Sequence, residues 1–91
     1  MEKYTLPNQL TFLNIKVIFE EIRKCIFNSK SVEVSFDFMD DPNSLCAALM
    51  VACIKLAKTK KCKLFFIHVP QGAFVFLEHQ ELIDTVEKYC C

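Results

Sequence analysis

At 91 residues, the chain has material for one domain, spanning residues 1–91, and not for two. Eleven basic and eleven acidic residues cancel, which removes the general electrostatic drive toward nucleic acid and leaves only local patches to consider. Hydrophobic residues make up 53% of the chain, enough for a core without disulfide staples, and its single glycine excludes every glycine-rich phosphate loop.

The first residues, Met1-Glu2-Lys3-Tyr4, are charged and polar, and no apolar signal-peptide core follows them. The longest apolar run, Leu45 to Ile54, is ten residues, half of the ~20 that a membrane-spanning helix needs. These features predict a soluble, intracellular protein that is not inserted in a membrane. Cys25, Cys46 and Cys53 fall within apolar helical patterns, where a thiol behaves as a small hydrophobe. No C-x-x-C pair exists to support zinc. A disulfide between the adjacent Cys90 and Cys91 would be strained, so an exposed, oxidisable pair is expected there.

From the start, Tyr4 to Thr11 alternates weakly and holds Pro7, which predicts an edge strand or two short strands around a turn. From Phe12 the period becomes helical. Ile15, Ile18, Phe19, Ile22, Cys25 and Ile26 form an apolar stripe, and Asn28-Ser29-Lys30 ends it. Val32, Val34 and Phe36 then alternate with Glu33 and Ser35, a strand with one face in the core.

The turn Asp40-Asp41-Pro42-Asn43-Ser44 leads into a helix from about Ser44 to Lys58 that is apolar on nearly every side. Asn43 or Ser44 is expected as its N-cap. Lys55, Lys58, Lys60, Lys61 and Lys63 read as a solvated helix end that complements the negative C-terminal dipole. Cys62 to Val69 contains Leu64-Phe65-Phe66-Ile67, apolar on both faces and so expected as a central strand halted by Pro70. Ala73 to Leu77 reads as a short helix, and Leu82, Val86 and Tyr89 mark a last one.

Alternating strands and helices predict an α/β fold in which helices cover a sheet. The acidic turn then lies at the C-terminal edge of a strand, where binding sites of open α/β sheets gather. It offers two carboxylates and the N–H groups of a helix start.

On these residues the chain resembles the STAS domain family, the small fold of anti-sigma-factor antagonists and of the cytoplasmic tails of sulfate transporters. Leu6-Pro7-Asn8-Gln9-Leu10-Thr11-Phe12 precedes the first helix, and Val32-Glu33-Val34-Ser35-Phe36 precedes the acidic turn. Asp41-Pro42-Asn43-Ser44-Leu45 opens the second helix, and His68-Val69-Pro70 follows the last strand. The Leu10-Thr11-Phe12 segment is most similar to the stand-alone STAS subunits of phospholipid ABC transporters.

The resemblance implies a STAS-like α/β fold with a small mixed sheet of about four strands flanked by helices. It also implies a non-catalytic protein without a cofactor, cytoplasmic and held at the inner membrane by its partner, the ATPase of the transporter. The alternative it offers is an anti-sigma-factor antagonist that binds a kinase-type anti-sigma factor. Where that family carries a phosphorylated hydroxyl residue after the Asp, this chain has Pro42 and then Asn43, neither of which accepts phosphate. A phosphate on Ser44 would gain from the helix dipole and face Asp40 and Asp41, acting as an off-switch.

The partner surface expected on this reading comprises Asp40, Asp41, Pro42, Asn43, Ser44, Leu45, Cys46 and Met50. A helix apolar all round exceeds the ~100° stripe that a core needs, so some of Cys46, Met50, Cys53 or Ala57 is expected to face outward. The competing expectation is a fully buried central helix. A homodimer is compatible with either. For an enzyme, the candidates are His68, His79, Asp37, Asp40, Asp41 and the cysteines, but ordinary surface or core roles account for each. Asp40 and Asp41 alone make a poor Mg²⁺ site.

Overall fold

The computed structural model of the protein describes residues 2–90. In chain order the elements are β1 (Glu2–Thr5), α1 (Ile15–Asn28), β2 (Ser31–Ser35), α2 (Ser44–Lys60), β3 (Lys63–Ile67), α3 (Gln71–His79) and α4 (Ile83–Glu87). The α/β class is as expected, but the sheet is not a mixed one of about four strands. Among the described residues it has three strands, all parallel, in the order β1-β2-β3. The segment before α1 supplies only one strand, because the chain turns away at Leu6-Pro7 after a last bond from the Leu6 N–H to the Ser35 carbonyl (2.9 Å).

The central strand is β2, not the more apolar β3. Leu64 and Phe66 of β3 are buried, whereas Phe65 and Ile67 are only half-buried on the opposite face. The free side of β3 is partly closed by the chain end, where the Phe66 N–H donates to the Tyr89 carbonyl at 2.7 Å.

In a parallel 1-2-3 order, crossovers of the usual right hand place α1 and α2 on the same face of the sheet, and the two helices pack on each other. Burial agrees: Val32, Val34, Leu64 and Phe66 are in the core, while Glu33 and Lys63 stay at least partly in water. Helix α1 contributes Ile18, Ile22 and Ile26, its predicted stripe. At the edge, the Tyr4 hydroxyl donates to Glu21 Oε1 and ties β1 to α1.

Helix α2 is the hub. It packs on α1, β3, α3 and α4, which is why its sequence lacks a polar face over its first ten residues. In the core, Phe36 and Phe66 meet edge to face with centroids 6.2 Å apart, a favoured aromatic geometry. The helix ends at Lys61, whose left-handed backbone (φ 55°) lets the Cys62 N–H turn back to the Ala57 carbonyl at 2.9 Å.

Candidate functional site

Because the strands are parallel, the loops β1–α1, β2–α2 and β3–α3 emerge on one edge. Side chains and backbone knit them together. The Asn8 carbonyl accepts from the N–H groups of Asp40 (3.1 Å) and Asp41 (3.3 Å), and Gln9 Nε2 donates to Asp41 Oδ2 at 2.6 Å. Asn43 serves both loops at once. Its Oδ1 accepts from the Leu45 N–H at 2.9 Å, capping α2, and its Nδ2 donates to the Leu10 carbonyl at 2.8 Å.

Within the first loop, Asn14 and Thr11 reciprocate. The Thr11 N–H donates to Asn14 Oδ1 (2.8 Å), and the N–H groups of Leu13 and Asn14 donate to Thr11 Oγ1. This local bonding competes with helix formation. Helix α1 therefore starts at Ile15, and the predicted start at Phe12 falls in a turn.

The third loop joins through His68 and Gly72. His68 Nε2 lies 3.5 Å from Asp37 Oδ1, an ion pair when the imidazole is protonated, and both side chains are exposed. His68 also holds a left-handed backbone (φ 56°), uncommon for a non-glycine residue. Gly72, near the start of α3, faces Pro42 of the acidic turn.

The expected partner residues divide. Asp40, Asp41 and Ser44 are exposed, and Pro42, Asn43 and Leu45 are half-buried. Cys46 and Met50 are 0% exposed, so neither offers a surface to a partner. Cys53 and Ala57 are buried too, so none of the four residues expected to face outward does; the side of α2 left in water carries Ser44, Ala48, Lys55, Lys58 and Thr59. The physical reason is that four neighbouring elements, not one sheet, pack on this helix and bury the side that carries these residues. The N-cap is Asn43, and Ser44 is the first helical residue.

Four of the exposed large apolar residues lie instead on the loops and helix start of this edge. Phe12 (87% exposed) and Leu13 (92%) stand on the β1–α1 loop, Val17 (60%) on the first turn of α1, and Phe38 (68%) just before Asp40. The hydrogen bonds between the acidic turn and Asn8, Gln9 and Leu10 hold the two loops together along the same edge. Sequence reading missed this patch. Its signal was present: Phe12 and Leu13 precede the helical stripe, Val17 lies off it, and Phe38 follows the end of the β2 alternation.

The buried thiols of α2 are held neutral. Burial pushes the Cys53 thiol up to about 12. The Cys46 thiol is also raised by burial, against an opposing pull from the backbone hydrogen bonds of Asn43 and Cys46. A thiol held neutral is a poor nucleophile. Among the described residues no three His, Cys, Asp or Glu side chains converge as metal ligands, and no cavity is found. The adjacent Cys90-Cys91 pair lies partly outside the described residues, at Cys91.

No protein-family model matches the chain, and no curated protein or solved structure is significantly similar to it.

Proposed function

We propose that the protein is a non-catalytic docking module that presents the C-terminal edge of its sheet to another protein. The observation that carries this reading is the row of exposed apolar side chains, Phe12, Leu13, Val17 and Phe38, fixed beside the carboxylates of Asp40 and Asp41. Apolar groups gathered on a rigid surface mark interaction sites. Aromatic anchors supply most of the binding energy in such contacts, and flanking charges select partner and register.

The resemblance to STAS domains suggests which partner. On that reading the chain is a cytoplasmic subunit bound to the ATPase of an ABC phospholipid transporter and peripheral to the inner membrane through it. Docking would favour one arrangement of the ATPase, shifting an equilibrium without chemistry by the subunit. Pro42 and Asn43 in place of a phosphate acceptor favour this constitutive role over an anti-sigma antagonist.

The test is affinity purification from the native host with the wild type and with a Leu13→Asp, Phe38→Asp double variant. An ABC-type ATPase recovered with the wild type and lost with the folded variant is the expected result. Equal recovery by both, or recovery of a kinase-type anti-sigma factor instead, would overturn it.

A further inference from the structure

The opposite edge of the sheet has a different chemistry. There the C-terminal ends of α1 and α2 turn into β2 and β3, and the two connections touch: the Lys63 N–H donates to the Lys30 carbonyl at 2.8 Å. Residues 23–30 and 55–63 hold Arg23, Lys24, Lys30, Lys55, Lys58, Lys60, Lys61 and Lys63. Eight of the eleven basic residues of a neutral chain are thus on this edge, and neither segment contains an acid. Three basic and eleven acidic residues are left for the rest of the chain. Glu20, paired with Arg23 at 3.0 Å, and Glu2 at the head of β1 border the patch.

Complementing two helix dipoles calls for about one charge at each helix end, not eight. The excess points to an external anion. Its type follows from the residues. Seven of the eight are lysines, which act as mobile point charges and do not grip single phosphates in a fixed fork. The lone Arg23 is already engaged by Glu20. The exposed aromatic of the patch, Phe27, has Lys60 Nζ 4.4 Å and Arg23 Cζ 5.1 Å from its ring centroid, so cations occupy the ring where a base would stack. Among the described residues there is also no cavity to seat a strand.

We propose that this edge adsorbs to an anionic lipid bilayer, with the lysines among the headgroups and Phe27 at their centre. The surface is independent of the docking edge and leaves it free.

The test is co-sedimentation of the full chain with vesicles containing 30 mol% phosphatidylglycerol, against pure phosphatidylcholine. Binding to the anionic vesicles alone at low salt is expected, with loss in 1 M salt, where screening shortens to about 3 Å. Lys55→Gln with Lys58→Gln keeps helix propensity and should weaken partitioning about 25-fold, since each lysine is worth about fivefold. Lys16→Glu alters net charge by the same amount at the far end of α1 and should stay within about twofold of wild type. Absence of binding to anionic vesicles, equal binding to phosphatidylcholine, or an equal loss in Lys16→Glu would overturn the proposal. So would retention on a 30-base-pair DNA duplex in the same buffer with none on vesicles.

Discussion

A Cβ atom on Gly72 would lie 2.8 Å from Pro42 Cγ, closer than van der Waals contact allows. The lone glycine of the chain is therefore needed for close approach of α3 to the acidic turn, and its backbone is not left-handed. Helix propensity alone would make Gly72→Ala stabilising by about 1 kcal/mol. Overpacking costs about 1–3 kcal/mol and should win, because a proline ring has little freedom to yield. Urea denaturation should show Gly72→Ala less stable than wild type. In a Pro42→Ala background, where the Cγ is gone, the same change should become neutral or stabilising. Equal effects in both backgrounds would show that the contact is not what decides.

Asn43 joins two functions in one side chain, the cap on α2 and the bond to the Leu10 carbonyl. Asn43→Ala should lose about 2 kcal/mol, more than the ~1 kcal/mol typical of an N-cap alone. Asn43→Asp keeps the capping oxygen but loses the donor to Leu10, so it should fall between. Hydrogen exchange would show the loop difference. Faster exchange of the Asp40 and Asp41 amides, which donate to Asn8, is expected in both variants.

Much of this arrangement was legible in the sequence, and the losses have physical causes. The stripe Ile18, Ile22 and Ile26 and the alternation Val32, Val34 and Phe36 set α1 and β2 correctly, because one face of each meets the core. The failure at Cys46 and Met50 came from treating α2 as a helix lying on a sheet alone. Periodicity counts apolar faces, but it does not reveal how many neighbours arrive to cover them. The strand order and the edge position of β3 were hidden for the same reason, since pairing is a long-range property. Phe38 and Leu13 were overlooked because loop residues carry no period.

Exposed and buried apolar residues should respond in opposite ways to a charge. Phe38→Asp and Leu13→Asp remove surface groups and should change stability by no more than about 0.5 kcal/mol. On the proposed docking surface each should weaken partner binding about 30-fold or more, the loss of roughly 2 kcal/mol expected of an anchor. Met50→Asp buries an unpaired carboxylate and should unfold the chain. Thermal melts and titration calorimetry against the purified partner separate the two classes. A Phe38→Asp protein that stays folded and binds normally would remove Phe38 from the interface.

The Cys53 thiol links stability to alkaline pH. Its proton is held up to about 12 in the folded chain by burial, against a reference of 9.0. Below pH 9 both states keep the proton and the neutral side chain contributes its full packing. As pH rises from 9 toward 12, the unfolded state releases the proton while the folded state retains it, so the unfolded state binds fewer protons and stability falls. The full difference between the two states corresponds to about 4 kcal/mol in the limit. Urea midpoints should therefore drop between pH 9 and pH 11 in the wild type, and less steeply in Cys53→Ala, which is less stable at pH 7 but has no thiol to titrate there. Parallel pH slopes in the two proteins would place the alkaline loss elsewhere, with the raised thiols of Cys46 and Cys62 next in line.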